Sequence, residues 1–153
     1  MLRLLLRIPV PWVFVVGYLA GVVVERALRP HVAFTALPGV ALAVGVVFLV
    51  GAVIAGWGLA TFRRARTTTV PGETSARLVT WGPYRATRNP MYVGLILAYL
   101  GEAGLLRQVW PLAFLLVVVA YVNWVVIPLE ETKLAEAFGG EYTRYRARVR
   151  RWL

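Results

Sequence analysis

Several residue types that carry common protein chemistry are missing from this sequence. It has no cysteine, no aspartate and a single histidine, His31. The lack of cysteine excludes disulfide bonds, a thiol nucleophile and thiolate metal sites, and one histidine cannot form an imidazole cluster around a metal. Only 16% of the residues are charged, whereas 59% are hydrophobic. This composition is too apolar for an ordinary soluble domain and indicates a single membrane domain.

Negative charge is also scarce, which leaves the chain with a formal net charge of +10. The basic residues are sixteen arginines and one lysine. In a soluble protein this excess would suggest a nucleic-acid partner. In a membrane protein it is typical of cytoplasmic segments, which concentrate arginine and lysine and lie close to anionic lipid. We therefore predict the lipid bilayer as the partner of these residues, and no nucleic acid.

Long apolar runs dominate the rest of the sequence, and they cover residues 9–24, 40–62, 91–106 and 109–127. Only the third contains a charged residue, Glu102. The second run has more than twenty residues, enough to cross a hydrocarbon core of ~30 Å. The first follows a basic start but has no small-residue cleavage signal, so we predict a retained helix and not a signal peptide. The predicted fold class is all-α. It is an integral membrane helical bundle of about four transmembrane helices, with a fifth left open, plus cytoplasmic C-terminal helices.

This pattern predicts one domain over residues 1–153. Residues 1–62 supply two N-terminal transmembrane helices, and residues 63–153 form the functional core with an interfacial C-terminal helix. Glycines in the second run permit close helix pairing.

The distribution of basic residues predicts the orientation. If four spans place both termini on one side, fourteen basic residues share that side and only Arg26, Arg29 and Arg107 lie on the other. By the positive-inside rule, the middle segment (residues 63–90) and the tail (residues 129–153) then face the cytoplasm. Two polar segments on the same side can form one site.

The middle segment ends in an unusual stretch, WGPYRATRNPMYVG, at residues 81–94. Pro90 suits the first turn of a helix, which places Asn89 to cap the third span. The free N–H groups at this helix start, with Arg88 beside them, would favour an anion such as a ligand carboxylate. Tyr84 and Tyr92 add flat faces and hydroxyls. The stretch predicts one half of a pocket for a ligand that carries a carboxylate.

The tail opens with two acidic residues, Glu130 and Glu131, directly below the fourth span. They form either a surface ion pair with arginine from the middle segment or a carboxylate site for a cationic or hydroxyl-bearing ligand. Pro128 marks the end of the fourth span or a kink, and Gly139-Gly140 fits a helix C-cap. Beyond it, one helical face carries four apolar or aromatic residues, Tyr142, Tyr145, Val149 and Trp152. Such a helix can have a functional role, or it can be simply an interfacial anchor.

Glu102 is a third acidic candidate, inside the third apolar run. A carboxylate within a membrane is costly and indicates a functional site by default. It lies beside Gly101 and Gly104 near the far end of a short run, so we expect it at the opposite membrane interface.

The middle and tail motifs together resemble the isoprenylcysteine carboxyl methyltransferase and phospholipid methyltransferase superfamily. LVTWGPYRATRNPMYVG, followed about forty residues later by EETKLAEAFGGEYTRYRARVRRWL, carries the resemblance, which covers roughly residues 67–153. Members are small integral membrane enzymes. The resemblance implies S-adenosylmethionine as cofactor and S-adenosylhomocysteine as product. The lack of cysteine and of a histidine cluster predicts no metal.

The family's Arg-His-Pro-x-Tyr-x-Gly signature falls on residues 88–94, with Asn89 in place of the histidine, a variant associated with bacterial members. The resemblance therefore implies a bacterial inner-membrane protein, and the distribution of basic residues predicts that its site faces the cytoplasm. Arg88 and Glu130 would orient the reactants, and no catalytic base is assigned. The implied cofactor-binding residues are Thr69, Ala76, Arg77, Leu78, Val79, Gly82, Tyr84, Arg88, Asn89, Pro90, Met91, Tyr92, Gly94, Glu130 and Glu131.

The sequence leaves several classes of methyl acceptor open, whereas the motifs point to one cofactor. The resembling prenylcysteine-specific enzymes carry an arginine shortly before the acidic pair, whereas here the stretch is NWVVIPLEE. This argues against a free prenylcysteine carboxylate and leaves a lipid amine, a lipophilic thiol or another carboxylate. Two other functions stay open. They are an NADPH-dependent membrane reductase of the sterol reductase type, which has a related motif, and a small four-helix exporter that uses Glu102.

Overall fold

A computed structural model describes residues 9–28, 38–65 and 77–153 of the chain. Thr69 and Ala76, two of the implied cofactor-binding residues, lie outside the described residues. Within these ranges the chain is helical and contains no strand, which confirms the all-α fold class. The elements are α1 (Val10–Leu28), α2 (Pro38–Ala65), a 3-10 turn (Gly82–Arg85), α3 (Pro90–Leu105), α4 (Trp110–Tyr121), a π-helical turn (Val122–Val126) and α5 (Ile127–Arg148).

The helix lengths agree with a membrane bundle. Val10–Leu28, Gly39–Ala65 and the continuous run Trp110–Arg148 are long and apolar enough to cross a membrane, and Pro90–Leu105 is a shorter apolar helix. The spanning segments are therefore α1, α2, α3 and the run from Trp110 to Val126, while α5 extends beyond the apolar stretch. We call the end of the bundle where α3 begins the motif end.

The fourth span neither stops nor bends sharply at Pro128. The helix continues into α5 through the π-helical turn, in which the Ile127 N–H bonds to the Val122 carbonyl, five residues back. Proline lacks an N–H and its ring crowds the carbonyl four residues earlier, here that of Trp124. A wider turn just before the proline relieves this crowding and lets the helix carry Glu130 and Glu131 straight below the span.

Small residues set the helix pairing. A Cβ at Gly94 of α3 would collide with the backbone nitrogen of Ala55 in α2. A Cβ at Gly21 of α1 would lie 2.5 Å from the Cα of Pro111 in α4. The bundle thus consists of two closely packed pairs, α2 with α3 and α1 with α4. A shared apolar core joins them, with Phe14, Tyr92 and Val122 among its buried members.

Exposed tryptophans mark the motif end of the bundle. Trp12 at the start of α1 is 59% exposed, Trp57 near the end of α2 is 53% exposed and Trp124 near the end of the fourth span is 73% exposed. Because tryptophan concentrates where the membrane meets water, these positions locate that boundary.

The tail departs in part from the expected helical pattern. Gly139 adopts a left-handed φ of 49° and breaks α5 into two halves, as the Gly139-Gly140 pair predicted. Tyr142 and Tyr145 of the second half are buried. The prediction that the same helical face continues to Trp152 is wrong, because the helix ends at Arg148 and Val149 is extended. The last residues form a non-helical segment, which we call the C-terminal strap (residues 149–153).

Candidate functional site

Tyr84 ties the motif loop to both neighbouring segments. Gly82, with a left-handed φ of 63°, starts the 3-10 turn that carries it. The Tyr84 ring packs edge-on against Phe62 at a centroid distance of 5.1 Å, and its carbonyl accepts a 2.8 Å hydrogen bond from the Tyr145 hydroxyl. Burial, reinforced by Tyr145 and Glu130, raises the pKa of Tyr84. Tyr84 is thus a neutral, packed residue that fixes the loop against the tail.

Tyr92 and Glu130 bring the two predicted halves of the site together. The Tyr92 hydroxyl donates a 2.7 Å hydrogen bond to Oε1 of Glu130, from the first turn of α3 to the first turn of α5. Burial raises the pKa of Glu130 to about 7, the neighbouring Glu131 adds to the increase, and the bond from Tyr92 opposes it. Near neutral pH this carboxyl group can therefore hold either a proton or a negative charge.

Glu131, the second acid, is engaged by two arginines. Its Oε1 lies 2.8 Å from Arg88 Nη2, and its Oε2 lies 2.7 Å from Arg151 Nη2. Burial disfavours ionisation of this group, but the hydrogen bonds and charges of Arg151 and Arg88 outweigh it and lower its pKa. Of the two roles left open for the acidic pair, Glu131 takes the ion pair with the middle segment.

Most of the N–H donors of Arg88 are hydrogen-bonded to the tail. Besides Glu131, its Nη1 donates to the carbonyls of Arg146 (3.2 Å) and Val149 (2.8 Å). Its backbone N–H donates to the Arg150 carbonyl at 2.9 Å. In the part of the chain that the structure describes, only Nε among its buried donors lacks a partner. Arg88 is therefore mainly a clamp that holds the tail against the motif loop.

Asn89 occupies the N-cap position of α3 but does not cap the helix through its side chain. Its carbonyl accepts the Val93 N–H at 3.1 Å, and its Nδ2 donates to the Arg151 carbonyl at 2.9 Å. The predicted capping bond is wrong, because the tail supplies a carbonyl acceptor and the amide nitrogen is turned toward it.

A comparison with protein-family models decides the class of this protein. The model of the phospholipid methyltransferase family matches residues 40–141, more than half of the chain. The chain belongs to the phospholipid methyltransferase family. Searches of curated proteins and of solved structures returned no match.

Membership of this methyltransferase family confirms the resemblance given by the motifs and makes the chain a membrane methyltransferase. The matched residues include the motif loop, α3 and the acidic pair. The matched residues end at 141, before the C-terminal strap. The strap that contacts Arg88 and Asn89 therefore lies outside the matched region.

Not every implied cofactor-binding residue of this family member lies at the Tyr92–Glu130 contact. Met91 packs against Gly58, and Gly94 packs against Ala55. Both face α2 and hold the helix pair together. Of the stretch that leads into the loop, Val79 is buried, Leu78 is partly buried and Arg77 is exposed. Pro90 is buried at the start of α3.

A cleft of about 500 Å³ opens beside Glu131, and this volume is within the range of small-molecule sites. It is lined by Pro128, Glu131, Thr132, Ala135, Glu136 and Arg146. Of these, only Glu131 was singled out from the sequence as a ligand candidate. The others lie on the same helix, α5, and the break at Gly139 brings Arg146 close to the residues that precede it. In the sequence, only the Gly139-Gly140 pair indicated this break.

Sequence reasoning also missed the groups that hold the strap. The Thr87 hydroxyl donates to the Arg151 carbonyl at 2.9 Å. The Trp152 indole N–H donates to Oδ1 of Asn123 at 3.0 Å. Asn123 lies in the π-helical turn, and a polar residue in an apolar run was the one signal that pointed to it.

Proposed function

We propose that this methyltransferase uses S-adenosylmethionine to methylate a lipophilic or membrane-accessible acceptor at the cytoplasmic face of a bacterial inner membrane. The observation that carries the proposal is the Tyr92–Glu130 hydrogen bond. It joins the family motif to the acidic pair across 38 residues at the end of the bundle where the apolar spans stop. In this proposal the cofactor reaches the contact from water and the acceptor reaches it from lipid.

The groups at the motif end suit this cofactor. S-adenosylmethionine carries an ammonium, a sulfonium and a carboxylate. Glu130 offers a partly buried carboxyl whose Oε1 alone is bonded to Tyr92, and Arg88 offers a buried Nε–H that has no partner among the described residues. A negative group and an anion-binding donor, set in a partly buried environment, match a ligand with both charges.

When bound, the cofactor supplies a methyl group activated by a positive sulfur. In our proposal Glu130 faces the positive part of the ligand, and Tyr92 holds the carboxyl in one orientation. Arg88 and Glu131 keep the tail closed over the loop and exclude water. Aligning the two reactants for in-line displacement can itself supply several kcal/mol, about 7 or more in favourable cases. A carboxylate or thiolate acceptor needs no general base, whereas an ammonium must first lose a proton.

The acceptor reaches the site along apolar helix surfaces in this proposal. Residues 123–131 contain no basic side chain, so no cation is placed there for a prenylcysteine carboxylate. A lipid amine, a lipophilic thiol or another carboxylate is the proposed acceptor class. Host membranes incubated with the protein and S-adenosylmethionine labelled in its methyl group should yield a labelled lipid or lipophilic molecule. Label that stays only in water-soluble products would contradict this class.

Calorimetry on the detergent-purified protein tests the cofactor. We expect S-adenosylhomocysteine to bind, and we expect Glu130→Gln and Tyr92→Phe to weaken binding by about tenfold, the size expected for a lost hydrogen bond to a charged group. Glu102→Gln, at the far end of α3, is the matched control and should bind as the unchanged protein does. Tight NADPH binding without S-adenosylhomocysteine binding would support the reductase instead. Proton-driven transport that depends on Glu102 would support the exporter.

A further inference from the structure

Three consecutive residues of the motif bind the backbone of one distant segment. Thr87, Arg88 and Asn89 all donate to carbonyls of residues 146–151. The Thr87 hydroxyl and the Asn89 amide share the Arg151 carbonyl oxygen, at 2.9 Å each. A carbonyl oxygen has two lone pairs, so these two donors saturate it.

The strap is also anchored at its far end. The Trp152 ring packs against the apolar core of the bundle, and its indole N–H bonds to Asn123. Between the two anchors, Arg151 donates to both oxygens of Glu131, at 3.2 Å from Nε and 2.7 Å from Nη2. The strap therefore fixes the carboxyl group next to Glu130 on the same helix turn.

We propose that Asn89 is a positioning residue, which shapes the site by holding the C-terminal strap and does not itself contact the cofactor or the acceptor. This inference deepens the proposed function and rests on it. The chemistry required at position 89 is a side-chain N–H donor aimed at the Arg151 carbonyl. An amide provides that donor and so does an imidazole, whereas a carboxylate only accepts and would face a carbonyl oxygen.

The mobility of the strap in ligand-free protein gives the first test. The chain has no cysteine, and Leu153 is 77% exposed. A spin label on Leu153→Cys therefore reports on the strap alone. We expect Asn89→Asp and Asn89→Ala to make the label more mobile. Asn89→His should keep the label as slow as in the protein with Asn89. Thr143→Ala removes a hydroxyl bond to the Gly139 carbonyl on the same tail but away from the strap, and should leave the label unchanged.

The affinity for S-adenosylhomocysteine gives the second test, measured by calorimetry. We expect Asn89→Asp to weaken binding by about five- to tenfold, as for one lost hydrogen bond, and Asn89→His to restore it. Deleting residues 151–153 should weaken binding at least as much, because it also removes the bonds of Arg151 to Glu131 and of Trp152 to Asn123. In the shortened chain, Asn89→Ala should then cause no further loss, because its acceptor is gone.

Opposite results separate the two proposals. A further tenfold loss from Asn89→Ala in the shortened chain, or weaker binding by Asn89→Asp with an unchanged spin label, would overturn the positioning role in favour of direct contact. An unchanged protein that fails to bind S-adenosylhomocysteine would overturn the proposed function, while the ligand-free mobility still decides whether Asn89 holds the strap. If the Asn89 variants do not fold, Trp152→Phe releases the other anchor. It should raise the mobility of the label and weaken binding. Unchanged label mobility in this variant would contradict the proposed role of the strap.

Discussion

Glu25 shows how a single carboxylate joins two spans of this bundle. It lies in the last turn of α1, and its Oε2 accepts the backbone N–H groups of Val109 (2.9 Å) and Trp110 (2.8 Å). The first N–H groups of a helix have no partner within the helix, and no residue of α4 caps them through its side chain. A side chain from another helix therefore supplies the cap that the local sequence lacks.

Replacing Glu25 by alanine should destabilise the protein by about 1–2 kcal/mol, the usual cost of losing an N-terminal cap. Chemical unfolding in detergent, followed by circular dichroism, measures the change. Glu102→Ala is the control, because this exposed side chain makes no hydrogen bond within the described residues. It should change the free energy of unfolding by less than about 0.5 kcal/mol. Equal effects of the two substitutions would refute the capping role.

Glu130 gives the proposed cofactor site a dependence on pH. Its pKa in the folded protein is about 7 because of burial, so the free protein holds a proton there below pH 7. A cationic ligand group favours the ionised form and displaces that proton. Affinity therefore rises with pH through about 7 and levels off above it.

We expect affinity for S-adenosylmethionine to be about tenfold lower at pH 6 than at pH 8, as for one group that titrates near 7. Calorimetry in buffers of different ionisation enthalpy should show proton release at pH 6. Glu130→Gln should remove both the proton release and the pH dependence. A pH dependence that persists in this variant would assign the titration to another group.

At the scale of the helices, α2 and α3 pack through backbone contact. Gly51 lies against Ala98, and Gly94 against Ala55, so closely that a Cβ at either glycine would collide with backbone atoms. Gly94→Ala should therefore separate the pair and cost about 1–3 kcal/mol, as overpacking usually does. Gly56, on the same helix as Gly51, has nothing within 4 Å of an added Cβ.

Gly56→Ala is thus the matched control for Gly94→Ala. Alanine is favoured over glycine in a helix by about 1 kcal/mol, so this variant should be as stable as the unchanged protein or more so. Thermal unfolding in the same detergent compares them. A Gly94→Ala protein that unfolds at the temperature of Gly56→Ala would show that the two helices do not rely on this close approach.

The helices were predictable because apolar runs of this length have few alternatives to a helix in lipid, where the backbone must satisfy its own hydrogen bonds. The runs at residues 40–62 and 91–106 became α2 and α3 with ends shifted by a few residues. The passage from the fourth span into α5 was not predictable. Proline allows a stop, a kink or a widened turn, and packing of the Val122 and Val126 side chains in the core accompanies the third outcome.

At the scale of the whole molecule, the site was only partly predictable. Placing both polar segments on one side of the membrane was enough to bring Tyr92 and Glu130 into one region. The partners of Arg88 and Asn89 were not predictable, because four of their acceptors are backbone carbonyls, those of Arg146, Val149, Arg150 and Arg151. Every residue carries such a carbonyl, so the sequence holds no local signal for which one is used.

The unequal number of basic residues on the two sides predicts the orientation of the bundle in the membrane. Arg107 lies in the turn between α3 and α4 and Arg148 at the end of α5, so an odd number of spans separates them. In the predicted four-span topology, fourteen basic residues share the side of Arg148 and three share that of Arg107, so the positive-inside rule predicts that Arg148 faces the cytoplasm. Because the chain has no cysteine, Arg107→Cys and Arg148→Cys each carry a single thiol. A membrane-impermeant maleimide added to intact cells should label the first variant and not the second. Opening the membrane should then expose the second, and the reverse pattern would move the proposed site to the outer face.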